Sequence, residues 1–153
     1  MSLRNKIDED YKQSIKNKDQ QKIDTLRLIR SAIKDKDISS RTSENKEGIN
    51  DAEILSLLIN LIKQRKASIE QFQKAKRDDL IKNEKNEIEV IKGYLPQQKT
   101  KEETEKIINE IISSNNLVSI KDMGKLMSII KNDYAGEVDM GLVGKIAKSK
   151  LIN

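Results

Sequence analysis

Apolar residues recur every three or four positions along most of this chain, the spacing of helices that bury one face. The first such run is Leu3, Ile7, Tyr11 and Ile15, which predicts a helix from Leu3 to about Lys16. Asp19 suits the N-cap of a second helix reaching about Ile38, with Ile23, Leu26, Ile29 and Ile33 on its apolar face. Residues 39–50 are polar and aperiodic and read as a loop. Asn50 or Asp51 then opens a third helix, Ala52 to about Lys76, with Ile54, Leu58, Leu61, Ile62, Ile69 and Phe72 inward. Between Ile54 and Ile62 it is apolar almost all round, which predicts a place at the centre of its domain. Asp78 or Asp79 suits the cap of a fourth helix to Lys92, carrying Leu80, Ile81, Ile88 and Ile91. Gly93 is its expected stop, and the only proline, Pro96, follows.

Tyr94-Leu95-Pro96 therefore divides the chain into a helical domain, 1–93, and a smaller one, 94–153. The second part reads as three short helices. Thr100 and Glu103 fit a capping box ahead of Ile107, Ile108, Ile111 and Ile112. Ser119 and Asp122 resemble a second box, ahead of Met123, Met127, Ile130 and Tyr134. Residues 132–138 turn, and Asp139 caps a last helix with Leu142, Val143 and Ile146 inward. Gly124, Gly141 and Gly144 sit inside these helices, where each costs about 1 kcal/mol against alanine, so close backbone packing is expected there. No strand-like alternation is long enough to argue for a sheet. The fold class expected is all-α: a bundle of about four helices plus a three-helix domain.

Some inward positions carry charge. At 100° per residue Arg65 falls near the middle of the third helix's apolar face, and Glu84 and Glu87 fall on that of the fourth. Arg30 lies at the edge of the second helix's face, with Arg27 further out. Unpaired buried charges are too costly to persist, so Arg65, Glu84 and Glu87, with Arg30, are expected to form an ion network. Removing Arg65 should then destabilise the protein. The rival reading is a charged cleft holding a ligand group. Two nearby carboxylates suit acid–base catalysis, but no nucleophile or oxyanion site accompanies them, so no catalytic residue is assigned.

Composition narrows the chemistry further. Hydrophobic residues make up 35 % of the chain and aromatics 3 %, so Ile, Leu, Val and Met must build the core. Histidine and cysteine are both absent, which removes disulfides, thiolate nucleophiles, imidazole bases and thiolate or imidazole metal sites. No acidic cluster points to a metal, and no cofactor is expected. Neither a secretory leader nor an apolar stretch long enough for a membrane span is visible, which makes the cytoplasm the default placement. Net charge is +5, and residues 63–77 hold Lys63, Arg65, Lys66, Lys74, Lys76 and Arg77 against Glu70 alone. With Arg27 and Lys34 this stretch suits phosphate contacts, or simply a solvated face.

Several of these segments resemble a known family. Thr25-Leu-Arg-Leu-Ile-Arg-Ser-Ala-Ile-Lys34 resembles its second helix. Arg65-Lys-Ala-Ser-Ile-Glu-Gln-Phe72, Arg77 and Glu84-x-x-Glu87-Ile-x-x-Ile91-x-x-Tyr94-Leu-Pro96 resemble its central signature. Asp122-Met-Gly-Lys-Leu-Met127 and Asp139-Met-Gly-Leu-Val-x-x-Ile146 resemble its C-terminal one. The family is YqeY, similar to the C-terminal region of GatB, the B subunit of glutamine-dependent aspartyl/glutamyl-tRNA amidotransferase. The resemblance runs from the first helix to Leu151 and implies an all-α fold. In GatB the corresponding tail helps hold tRNA beside a kinase-like catalytic body that has no counterpart here. What the resemblance implies is therefore tRNA recognition rather than amide transfer. A carbon–nitrogen ligase label with glutamine as amido-N donor would belong to that neighbouring body.

The resemblance draws attention to Lys121, Lys125, Lys145, Lys148 and Lys150 as RNA-binding candidates, beside Arg27, Lys63, Lys66 and Arg77. Gly124, Gly141 and Gly144 either admit a phosphate backbone or pack helix on helix. Three functions stay open: an accessory protein for tRNA or a tRNA-handling complex, a protein–protein adaptor without RNA contact, and part of a glutamine-dependent ligase. Which tRNA or partner is bound, and the oligomeric state, do not follow from the residues.

Overall fold

The computed structural model describes residues 2–41 and 47–152. Among them it is all-α, with seven α-helices and one short 3₁₀ turn. The chain divides into two compact units, Met1–Leu95 and Pro96–Asn153.

The first unit holds α1 (Leu3–Lys16), α2 (Gln20–Ser40), α3 (Asp51–Lys74) and α4 (Asp78–Lys92). Helix α3 packs along α4 and α1 along α2, while α2 also meets α3 and α4. Their shared core includes Ile7, Leu26, Ile29, Ile54, Leu58 and Ile91, all at most 1 % exposed. Asn50 and Glu53 close a reciprocal capping box at the start of α3.

Several local expectations are corrected. Ile15 is 48 % exposed, and Ser14 is buried, its hydroxyl donating to the Tyr11 carbonyl at 2.7 Å. The reason is helical drift: a step of four residues turns 400°, so a four-residue repeat leaves its face after a few steps. Helix α2 runs through Ser40, two residues into the expected loop; residues 42–46 of that loop lie outside the described residues. Helix α4 has Arg77 at its N-cap with no side-chain cap. Asp78 and Asp79 occupy the first turn instead, where the helix dipole favours acids. Gly93 ends α4 in right-handed backbone, φ −58°, so its stop does not exploit glycine's freedom.

The second unit holds α5 (Lys101–Ser114), the 3₁₀ turn Ile120–Asp122, α6 (Met123–Asp133) and α7 (Met140–Lys150). Thr100 and Glu103 complete the capping box of α5, and the Ser119–Asp122 box opens the 3₁₀ turn that leads into α6. Ile108, Leu126, Ile130, Val143 and Ala147 are all 0 % exposed at its core. Leu126, not Met123 or Met127, is the deepest residue of α6's first turns.

The close-packing reading of the glycines is also corrected. A Cβ at Gly124 or Gly144 would meet nothing within 4 Å. Gly141 is exposed, its amide donating to Asp139 Oδ1 at 2.9 Å.

Candidate nucleic-acid interface

The inward charges resolve into two separate sets. Arg65 is 8 % exposed. Its Nε donates to Glu87 Oε2 at 2.8 Å and its Nη1 to the Leu61 carbonyl, one turn back on α3, at 3.0 Å. This single side chain joins α3 to α4 and adds a second bond to a carbonyl of its own helix. Glu84 is partly buried, and its carboxylate makes no hydrogen bond among the described residues. Burial, then the charge of Glu87, raises its pKa, with Arg65 pulling the other way. Arg30 is not in this network. It pairs with Asp8 of α1 at 2.9 Å, and its guanidinium carbon lies 4.4 Å from the centroid of the Tyr11 ring. An edge-of-face residue goes to whichever helix lies beside it, and beside Arg30 that helix is α1.

The charged clamp that periodicity did not reveal is Arg4–Asp37. Arg4 donates to both Asp37 oxygens, at 2.8 and 2.9 Å, and to the Ile49 carbonyl at 2.9 Å. Asp37 also accepts from the Ile49 amide at 2.9 Å. The Arg4 bond, against the opposing effect of burial and helped by the Ile49 amide, holds the Asp37 carboxyl below the usual range. A Cβ at Gly48, where φ is +90°, would collide with that carboxylate. One signal was available: Asp37 lies four residues beyond Ile33, on the buried stripe of α2. Tyr94 is tied down similarly, its hydroxyl donating to Asp10 at 2.6 Å. Burial and that bond push its pKa upward.

The remaining cations face outward. On α2, Arg27 and Lys34 are exposed, and with Arg4, Arg30, Asp8 and Asp37 they line a cleft of about 340 Å³. On α3, Lys63 and Lys66 are exposed, as are Lys74 and Lys76 near its end. Arg77 is held by Asp79 through two contacts of 3.1 and 3.2 Å.

In the second unit Lys121, Lys125, Lys145, Lys148 and Lys150 are all exposed. Lys150 sits 3.3 Å from Glu105. Lys125 lies near Asp122, whose carboxyl is lowered chiefly by the amides of Val118 and Ser119. Lys145 and Lys148 have no partner among the described residues. With Gly141 they follow at intervals of four and three, so all three share one outer side of α7. That side is basic, free of bulk at its glycine and covered by no other element among the described residues.

These features define a two-unit, all-α protein with a basic, lysine-rich exterior. The chain belongs to the Yqey-like protein family, whose model matches residues 4–151. It is similar to proteins called "Altered inheritance of mitochondria protein 41, mitochondrial". That of Lachancea thermotolerans is 34 % identical over 125 residues, 78 % of this chain and 65 % of the relative. That of Pyrenophora tritici-repentis is 31 % identical over 134 residues, 82 % of this chain and 70 % of the relative. The Kluyveromyces lactis protein is 35 % identical over 88 residues, 58 % of this chain and 45 % of the relative. The chain thus spans between about half and two thirds of the length of these relatives.

The relatives correct the cytoplasmic placement expected from the sequence, since their names are those of mitochondrial proteins. The physical reason is that mitochondrial addresses are amphipathic and Arg-rich rather than apolar. The lack of an apolar run never bore on that compartment. Among the described residues no helix is long and apolar enough to cross a membrane.

Proposed function

We propose that this chain is an accessory protein that binds tRNA, or a tRNA-handling complex, through the basic outer side of its C-terminal unit, without chemistry of its own. The observation that carries this reading is α7. Lys145 and Lys148 are exposed and unpaired among the described residues, on the side where Gly141 leaves the helix surface low. Helical glycines that no neighbouring helix needs are a standing cost, and a partner's close approach gives them a purpose. The resemblance to the GatB tail supplies the class of partner.

Phosphate binding releases counterions, so affinity should fall steeply with salt, by tenfold or more between about 50 and 200 mM if several phosphates are touched. The test is binding of the full chain to total tRNA at those two salt concentrations, with Lys145→Glu and Lys148→Glu together as the variant. Salt-sensitive binding that the variant abolishes supports the reading. Tight binding that the variant leaves intact removes α7 from it.

A second reading, a protein-binding adaptor, is favoured by Val118 and Ile120, which are 75 % and 42 % exposed beside Lys121. An apolar interface depends little on salt. Absence of tRNA binding at low salt, with salt-insensitive capture of a protein partner, would replace the first reading with this one.

A further inference from the structure

The cleft between α1 and α2 lies in the other unit from the proposed tRNA surface, and its charges do not balance. Arg4 is saturated by Asp37 and the Ile49 carbonyl. Arg30 is paired with Asp8, but only through Nε. Among the described residues Arg27 hydrogen-bonds only through Nε, 3.5 Å from the Tyr11 hydroxyl, with Asp24 one turn back on α2 as a nearby charge. Lys34 has no partner among the described residues. Four cations and two carboxylates line the cleft, a surplus of two positive charges among its lining residues.

The arginines are also pre-set. A surface arginine normally loses side-chain entropy when it is fixed by a ligand. Here the ring of Tyr11 carries the Arg30 guanidinium on its face, and its hydroxyl sits beside Arg27. Asp8 fixes the plane of Arg30 by one edge. The terminal nitrogens of both guanidiniums make no bond to protein among the described residues. Ser31, on the same side of α2, adds a hydroxyl to the lining. Residues 27, 30, 31 and 34 recur at helical spacing, so their donors converge on one region. Planar forks with spare N–H pairs, plus an ammonium, match a group with several charged oxygens.

We propose that this cleft is a phosphate-binding site, with Arg27, Arg30 and Lys34 as the residues that hold the anion. A carboxylate would compensate one of the two surplus charges, whereas a phosphate monoester compensates both. The phosphate can belong to a small phosphorylated molecule, whose monoester compensates both charges alone, or to a nucleic-acid backbone, where two neighbouring phosphodiesters with one charge each do so together.

The test uses the full chain labelled with ¹⁵N and titrated with inorganic phosphate, against sodium chloride at matched ionic strength. Saturable shifts are expected in the Nε–H signals of Arg27 and Arg30 and in the amides around Tyr11 and Ser31. Arg27→Gln with Lys34→Gln should weaken that binding roughly tenfold, and both sites are exposed, so the fold is kept. Shifts equal to those from chloride, shifts spread over the lysines of both units, or affinity unchanged in the double variant would each overturn the site. Total tRNA identifies the source. Weaker tRNA binding by the double variant assigns the phosphate to a nucleic acid, and unchanged tRNA binding assigns it to a small molecule. The Lys145 and Lys148 variants test the other unit, so the two proposals fail separately.

Discussion

Cutting Arg65 back to alanine strands one acceptor, Glu87 Oε2, and takes a second bond from the Leu61 carbonyl, which keeps its helical amide partner. Glu87 keeps some exposure, 19 % of its side chain, so water recovers part of the loss. Arg65→Ala should therefore cost about 2–4 kcal/mol, near the lower end for breaking a buried pair, read from urea unfolding. Glu84 gives the same region a pH dependence. Its folded pKa is raised above the ordinary 4.5 by burial and by Glu87. A raised carboxyl contributes stability that is fully present below its unfolded pKa and lost as pH rises through the folded one. Glu84→Gln cannot ionise, so it should be more stable than the parent at pH 7, with the difference vanishing towards pH 4. A parent and variant with parallel stability–pH curves would show that Glu84 feels no such field. The Arg65 and Glu87 positions were legible because each repeats the apolar period of its own helix. Arg4–Asp37 was not, because it joins positions 33 apart and needs the α1–α2 pairing to be known first.

Helix ends show the same boundary between local and tertiary information. Helices α1, α3 and α5 all end with a left-handed residue, at Lys18 (φ 56°), Lys76 (φ 56°) and Asn116 (φ 53°). Each end closes with paired backbone bonds, such as Arg77 N to Phe72 O at 2.9 Å and Lys76 N to Gln73 O at 3.2 Å. This is the Schellman geometry, which glycine usually serves. None of the three is glycine, so the stops at Lys18 and Lys76 carried no sequence signal and only Asn116 a weak one, while the one glycine expected to act as a stop, Gly93, is right-handed. Conversely, Gly144 stands in the middle of α7 with open space in front of it. Two substitutions should then stabilise the protein for opposite reasons. Lys76→Gly relieves a left-handed non-glycine residue, worth about 1 kcal/mol. Gly144→Ala removes a flexible residue from a helix interior, worth about 0.5–1 kcal/mol. Thermal unfolding checks both. Gly144→Ala carries a further reading: if tRNA affinity falls while stability rises, the glycine serves a partner and not the fold. Equal affinity would leave Gly144 without a role in binding.

At the scale of the whole molecule, the division at Pro96 separates two cores with no residue in common. Among the described residues, twelve buried ones build the first core and nine the second, and neither set contains a buried aromatic. Stability grows with the apolar area buried, and a unit of this smaller size sits near the limit of independent folding. The C-terminal unit should therefore lose its structure first. The tyrosines report this directly: Tyr11 and Tyr94 pack against the first core, and Tyr134 against the second. In a urea titration followed by NMR, the Tyr134 ring signals should reach their unfolded positions at a lower concentration than those of Tyr11 and Tyr94. A single coincident transition would mean that the two cores are energetically coupled across the Leu95–Pro96 boundary. The outcome bears on function, because the basic side of α7 lies on the weaker unit and the α1–α2 cleft on the stronger one. A ligand that binds only the folded form of a unit stabilises that unit by mass action. With separate transitions, tRNA bound at α7 should move the Tyr134 midpoint upward and leave Tyr11 and Tyr94 in place. Phosphate bound at Arg27, Arg30 and Lys34 should do the reverse.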